Sequence, residues 1–139
     1  MIKIGAHSQI YDFVSICAVG GDGDLVIGEH CFINPQCVIY TGNGITMGNY
    51  VLLAPGVMIM PTNHAFGRRD ISIRQQGFQL SKGGIIIEDD VWVGANSVVL
   101  DGAHIGKGAI IAAGSVVIGN VPSYEIWGGS PARKLKERP

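Results

Sequence analysis

An aliphatic residue returns every six positions through most of this chain. It does so at Ile4, Ile10 and Ile16, at Ile27, Ile33 and Ile39, at Met47, Leu53 and Ile59, and then unbroken at Ile87, Val93, Val99, Ile105, Ile111 and Val117. Four residues on come small or medium side chains: Ser8, Val14, Cys31, Cys37, Val51, Val57, Val91, Ser97, Ala103, Ala109, Ser115 and Val121. Gly or Ala often follows the aliphatic residue directly, as at Gly5, Gly28, Gly48, Ala54, Gly94, Gly106 and Ala112. A period of six matches neither the 3.6 of a helix nor the alternation of a simple strand. It predicts a triangular solenoid in which each hexapeptide supplies one short strand and a corner, and three make a coil. The aliphatic residue fills the interior, the small one points inward near the corner, and glycine accepts backbone that other residues avoid. Successive coils then stack about 4.8 Å apart by parallel pairing. Ser115 falls over Ser97, and Ala109 over Val91. Five coils are expected: 4–21, 27–44, 47–64, 87–104 and 105–122.

Composition agrees with many short strands and tight bends. Glycine supplies 21 of 139 residues, about twice its usual share of near 7%, and the length suits one domain. The net charge of −1 draws the molecule neither to nucleic acid nor to an anionic membrane. The most apolar run, YVLLAPGVMIMP at 50–61, is broken by Pro55 and Gly56 and is shorter than the ~20 residues of a membrane span. No charged segment followed by an apolar core opens the chain, so no signal peptide is expected. Cys17, Cys31 and Cys37 form no CxxC pair and are odd in number. Reduced, buried thiols in a cytoplasmic protein are the expectation.

Three segments break the repeat. Residues 22–26 (DGDLV) insert a small bulge, and residues 65–86 make a long excursion between the third and fourth coils. Long loops in compact folds are usually functional or disordered. The tail at 123–139 leaves a solenoid domain spanning 1–122. Pro131 suits the first turn of a short helix there, which would cap the open end of the stack.

His64 ends the third coil and opens the excursion, within MPTNHAFGRR. An imidazole with pKa near 6.5 is suited to taking a proton from an alcohol at neutral pH, although a histidine at a loop root is, on position alone, more often an ordinary surface residue. Trp92 directly precedes the inward Val93, so its indole should point outward, as a subunit contact or as a wall of a binding site. The small residues of AAGSVV at 112–117 would let an extended ligand lie close to the backbone, and the fold itself also requires small residues there. Lys107, Arg133, Lys134 and Lys136 offer charge to a phosphate, or are solvated.

The run from Asn34 through LLAPGVMIMPTNH, QQG and IIIEDDVWVGANSVVLDGAHIGKGAIIAAGSVV to GGSPARKL resembles the hexapeptide-repeat acetyltransferases, over about residues 27–135. The likeness is greatest to the sugar and polysaccharide O-acetyltransferases, with NHAF and QQG looking more like the polysaccharide branch. It implies an all-β left-handed parallel β-helix, a handedness that periodicity alone does not supply, because right-handed crossovers are the general rule. It implies transfer of acetyl from acetyl-CoA to a sugar or polysaccharide hydroxyl with His64 as general base, and acceptor contacts for Asn34, Asn63 and Gln76. It implies CoA contacts for Trp92, Ala112, Ala113, Gly114, Ser115, Lys107, Arg133 and Lys134. Asn34 has an alternative reading as a corner residue in left-handed backbone. The galactoside and maltose enzymes also carry an acidic residue eight positions after that Asn, where this chain has Gly42.

Other readings stay open. The acceptor could be the amine of a nucleotide-linked sugar, or the solenoid a non-catalytic platform. The γ-type carbonic anhydrases share the fold and hold zinc on three histidines, but their HxxxxH spacing is missing and His7, His30 and His104 fall on different coils. No metal is therefore expected. Counting around each coil places Asn34 seven steps, Trp92 five and Ala113 to Ser115 eight to ten steps from the coil's start, against seventeen for His64. His64 thus belongs to a different edge of the prism, and a homotrimer, which the resemblance also implies, would bring the two edges together.

Overall fold

In the computed structural model, which describes all 139 residues, the six-residue period becomes a left-handed parallel β-solenoid. The first coil is β1 (Ile2–Ile4), β2 (Gln9–Ile10) and β3 (Ser15–Cys17); the second is β4 (Leu25–Ile27), β5 (Phe32–Ile33) and β6 (Val38–Tyr40). The third is β7 (Ile45–Met47), β8 (Leu52–Leu53) and β9 (Met58–Met60), after which comes a short helix, α1 (Ile73–Gln76). The fourth is β10 (Ile85–Ile87), β11 (Trp92–Val93) and β12 (Val98–Leu100), and the fifth β13 (His104–Ile105), β14 (Ile110–Ile111) and β15 (Val116–Val117). Beyond the five expected coils, β16 (Asn120–Val121) and β17 (Glu125–Gly129) begin a sixth, and β18 (Ala132–Glu137) folds back on β17 at the edge of the same sheet in place of a third strand.

The first strands of the coils form face A, the second strands face B and the third strands face C. Register follows the repeat. Ile4, Ile27, Met47, Ile87, Ile105 and Val121 stack on face A. Ile10, Ile33, Leu53, Val93 and Ile111 stack on face B, and Ile16, Ile39, Ile59, Val99 and Val117 on face C. From the second coil upward these residues are the core, together with the inward corner residues Cys31, Cys37, Val51, Val57, Val91, Ala103 and Ala109. In the first coil Ile4 and Ile10 stay 42% and 40% exposed, because no coil lies beneath them. No helix is long and apolar enough to cross a membrane.

The glycines that follow the aliphatic residue serve a purpose other than the expected backbone freedom. A Cβ on Gly94 would lie 2.5 Å from the Ala113 nitrogen, and one on Gly106 2.6 Å from the Ser123 nitrogen. Each would press on the coil above, so the requirement is close approach. Left-handed backbone falls two residues later, on His7, His30, Tyr50, Asp90 and Tyr124 at the corner between faces A and B. It recurs on Phe13, Gln36 and Asn96 at the corner between faces B and C. At the first of these corners the rings of His7, His30 and Tyr50 stack, with centroids 4.9 and 5.0 Å apart.

The expected helix in the tail does not form. Strand β17 pairs in parallel with β14 and turns back through Pro131 into the antiparallel β18. The upper edge of β14 presents backbone groups that need partners. The Trp127 carbonyl, for example, accepts from the Ala112 N–H at 2.8 Å. In the turn between the strands the missing N–H of Pro131 costs nothing. The other boundaries also shift: the small insertion ends at Asp24 and the excursion at Gly84, where β4 and β10 begin.

The contrast between buried and open coils is measurable. Ile33 and Ile10 occupy equivalent positions on face B, at 0% and 40% exposure. Ile33→Ala should cost about 2–5 kcal/mol by urea titration, and Ile10→Ala less than half as much.

Candidate active site

The excursion closes on itself before it meets the solenoid. Its two limbs pair where the Ala65 N–H donates to the Gly77 carbonyl at 2.9 Å and the Gln79 N–H to the Asn63 carbonyl at 2.8 Å. The Ser72 hydroxyl caps α1 by accepting from the Gln75 N–H, and the Gln75 carboxamide oxygen accepts from the Ser72 N–H in return, the reciprocal pattern of a capping box. Gln76 binds both the N–H and the carbonyl of Arg68, each at 2.9 Å. Its carboxamide is therefore spent inside the excursion, away from the acceptor it was expected to meet.

Asp101 holds the return limb. This carboxylate is 3% exposed, with the Lys82 N–H at 2.8 Å, the Gly84 N–H at 2.9 Å and the Asn43 amide at 3.3 Å as its donors. Three donors satisfy a buried carboxylate without a cation. Between the excursion and the corner joining faces C and A lies a cavity of about 540 Å³, lined by Asn63, His64, Phe66, Ile73, Gln79, Lys82, Leu100, Asp101 and Ile118.

His64 is solvent-exposed, and its ring stacks on Phe78 with centroids 5.0 Å apart. Neither ring nitrogen has a hydrogen-bond partner within the chain, so both are free for a ligand. Asn63 shares the cavity wall. Asn34, expected at the acceptor, lies elsewhere, at the corner between faces B and C with Ala112 to Ser115, which were expected at the cofactor, and Trp92 projects from face B. The whole width of face C separates them from His64.

At that second edge the side chains differ in what they can offer. Trp92 is 49% exposed and its indole N–H is unpaired. The N–H groups of Ala95 and Ala113 also find no acceptor in the chain, whereas that of Gly114 donates to the Ala95 carbonyl at 2.8 Å. Ser115 is 0% exposed, and its hydroxyl donates to the Ala112 carbonyl and accepts from the Gly129 N–H. Its N–H donates to the Ser97 hydroxyl and its carbonyl accepts from the Val98 N–H, so no group of Ser115 is left for a ligand. Asn34 donates from its amide to the Leu53 carbonyl at 2.9 Å, and its φ is not positive; Gln36 takes the left-handed position at that corner. Lys107 lies at the corner between faces A and B. Lys134 is held by Glu125 and Glu137, which raises its pKa and lowers that of Glu125. Arg133 makes only a bond to the Ala132 carbonyl and keeps its charge available.

Other chemistries have less to work with. Burial pushes the Cys31 and Cys37 thiols above their ordinary pKa, which disfavours a thiolate nucleophile. No three His, Cys, Asp or Glu side chains converge on one point. The His104 ring lies 2.7 Å from a Glu88 carboxylate oxygen, and this contact lowers the Glu88 pKa. Sequence reasoning missed Gln79, Lys82 and Asp101, because no period or spacing reveals which loop residue folds back on a cavity.

Comparison with known proteins adds to this geometry. The family model described as bacterial transferase hexapeptide (six repeats) matches residues 84–119. A crystal structure of a hexapeptide-repeat-containing acetyltransferase from Vibrio cholerae O1 biovar eltor, complexed with acetyl-CoA, is 33% identical with a TM-score of 0.84, over 99% of this chain and 71% of that one. A galactoside O-acetyltransferase of Lactococcus lactis subsp. lactis is 32% identical over 135 residues, covering 80% of this chain and 63% of the enzyme. A 2,3,4,5-tetrahydropyridine-2,6-dicarboxylate N-acetyltransferase of Clostridium perfringens is 54% identical over 56 residues, 40% of this chain and 24% of that enzyme. The chain spans only 51% to 63% of the length of three curated relatives that it matches over most of its own length.

Gly42 shows why an acid is absent eight positions after Asn34. A Cβ there would run into the Thr62 methyl, with the Pro61 and Val19 carbonyl oxygens each at 3.3 Å. Gly42→Asp should therefore cost about 1–3 kcal/mol, the usual range for overpacking. Thr62→Ser, which deletes that methyl, should restore part of the loss, the remainder being backbone strain at the Gly42 φ of 29°. Urea titrations of the two single variants and the double variant measure this coupling.

Proposed function

This chain belongs to the hexapeptide-repeat transferase family, and on that footing we propose that it moves an acetyl group from acetyl-CoA to a hydroxyl of a sugar or polysaccharide. The observation that carries the reading is His64, exposed with both ring nitrogens free, on the wall of the cavity of about 540 Å³. His64 takes the proton from the acceptor hydroxyl as the oxygen attacks the thioester carbonyl carbon, and returns it to the departing CoA sulfur. Asn63 shares that wall and meets the acceptor. An amine acceptor would use the same base, and the likeness to an N-acetyltransferase supports that second reading.

The donor lies along the other edge, where a thioester would present its pantetheine carbonyls to the unpaired N–H groups of Ala95 and Ala113. Trp92 walls that site and Asn34 adjoins it, while Arg133 meets a CoA phosphate. His64 and Trp92 flank different faces of one prism, so a complete site needs two subunits. A homotrimer, with His64 of one copy set against the Trp92 edge of the next, supplies it. Three free cysteines suit the reducing cytoplasm.

His64→Ala should bind acetyl-CoA normally and lose about 10²–10⁴ in turnover, measured as free thiol released with a panel of sugar acceptors. Near-normal turnover would sink the assignment. Any side chain at Gly114 would be strained by its φ of 70°, so bulk is better placed at the exposed Ala113. Ala113→Trp should raise the KM for acetyl-CoA at least about ten-fold, or about 1.4 kcal/mol, with the circular dichroism spectrum unchanged.

The shared site is tested by mixing. His64→Ala and Trp92→Ala proteins, each impaired alone, should regain part of the wild-type activity when refolded together, because some interfaces in mixed trimers keep both residues. No recovery in trimers shown by mass spectrometry to be mixed would mean that each subunit works alone.

A further inference from the structure

The excursion is a basic segment in a chain whose five coils are together net acidic. Residues 65–86 carry Arg68, Arg69, Arg74 and Lys82 against a single acid, Asp70, in a chain of net charge −1. Arg68 is paired with Asp70. Arg69, Arg74 and Lys82 have no carboxylate partner, and of the three only Lys82 lines the cavity with His64.

Lys82 is also placed with unusual firmness for an exposed lysine. Its N–H is fixed by the buried Asp101 at 2.8 Å. Its stem lies over Gly102, where an added Cβ would come within 2.9 Å of the Lys82 Cβ. The Gly102 N–H in turn donates to the Gly84 carbonyl at 2.7 Å, closing the return limb against the fourth coil. Asp101 lines the same cavity but is buried, with its oxygens taken up by three donors, whereas Lys82 is exposed and without a carboxylate partner for its side chain. Phe66, Ile73, Leu100 and Ile118 supply apolar walls around it, and a charge beside apolar surface is less screened than one in open water.

We propose that the acceptor carries an anionic substituent, a phosphoryl or carboxylate group, that docks on Lys82 while its hydroxyl or amine meets His64. The inference rests on the acyl-transfer reading and deepens it. Asp101 fixes the backbone from which Lys82 projects. A charge-assisted bond is about twice as strong as a neutral one, so the preference should be readily measured.

The probes are glucose 1-phosphate, glucuronic acid and glucose, with binding to the full chain followed by saturation-transfer NMR and acetyl-CoA binding by calorimetry. Wild-type protein should bind at least one of the two anionic sugars about ten-fold or more tightly than glucose, and the preference should weaken as salt is raised. Lys82→Gln should abolish the preference and leave the acetyl-CoA Kd unchanged. Indistinguishable behaviour of the three sugars with wild-type protein, or a preference that survives in Lys82→Gln, overturns the proposal. A loss of acetyl-CoA affinity in Lys82→Gln overturns it too, because the lysine would then serve the donor's phosphates. Failure of the wild-type protein to bind acetyl-CoA would instead defeat the acyl-transfer reading, while the sugar comparison still decides whether Lys82 selects an anion.

Discussion

Each coil exchanges backbone N–H···O=C bonds with the coils above and below it, and this vertical ladder sets where the strands lie in the molecule. The Leu52, Trp92 and Ala112 N–H groups, for instance, donate to Val91, Ala109 and Trp127 on successive levels of face B. A parallel ladder of this kind needs coils of equal girth and corners that stack without interference. Glycine at Gly94 and Gly106 follows from that need, since a methyl there would press on the backbone of the next coil. Aliphatic side chains of nearly constant size then fill the interior at each level. The register leaves little freedom in the walls, so variety enters where a coil is interrupted.

The interruption at the third coil shows how a rigid scaffold accepts a long loop. The excursion leaves at His64 and returns at Ile85, which pairs with Ile45 in register as though nothing intervened. Asn63, Ala65, Gly77 and Gln79 knit its two limbs together, and Asp101 fastens the return limb to the fourth coil. Asn43 of the second coil reaches the same carboxylate, so one acid joins two coils and the loop. The cavity beside His64 is a consequence of that fastening. Its walls come partly from the loop and partly from Leu100 and Ile118 on face C, which pairing holds rigid.

The geometry also divides the chemistry. The free imidazole sits on one edge of the prism, and the exposed indole and unpaired corner amides sit across face C from it. Under the proposed reading these are two parts of one site, and the paired strands of face C between them give no hinge for one to fold toward the other. The division therefore favours assembly over motion as the means of completing a site. Charge is divided as well: the excursion is basic, and among the tail lysines Lys134 is neutralised locally by Glu125 and Glu137.

The repeat was legible because its cause is local. Each hexapeptide carries its own inward aliphatic residue, so counting sixes gives the strands, the core from the second coil upward, and the edges on which His64, Asn34 and Trp92 fall. The family resemblance added the hand of the helix, which no count of residues contains. Contacts with distant parts of the chain were not legible. Pro131 suggested a helix, but the open upper edge of β14 drew the tail into a hairpin. Gln76 was expected in the acceptor site and is consumed by Arg68, and Asn34 does not take the left-handed corner. Lys82 and Asp101 passed unnoticed, since each gains its meaning from the other across 19 positions. Sequence alone determined the solenoid, because its period is written into every six residues. Only the tertiary structure decided which loop residues face the cavity, because that depends on where the excursion lands when its backbone donors find a buried carboxylate.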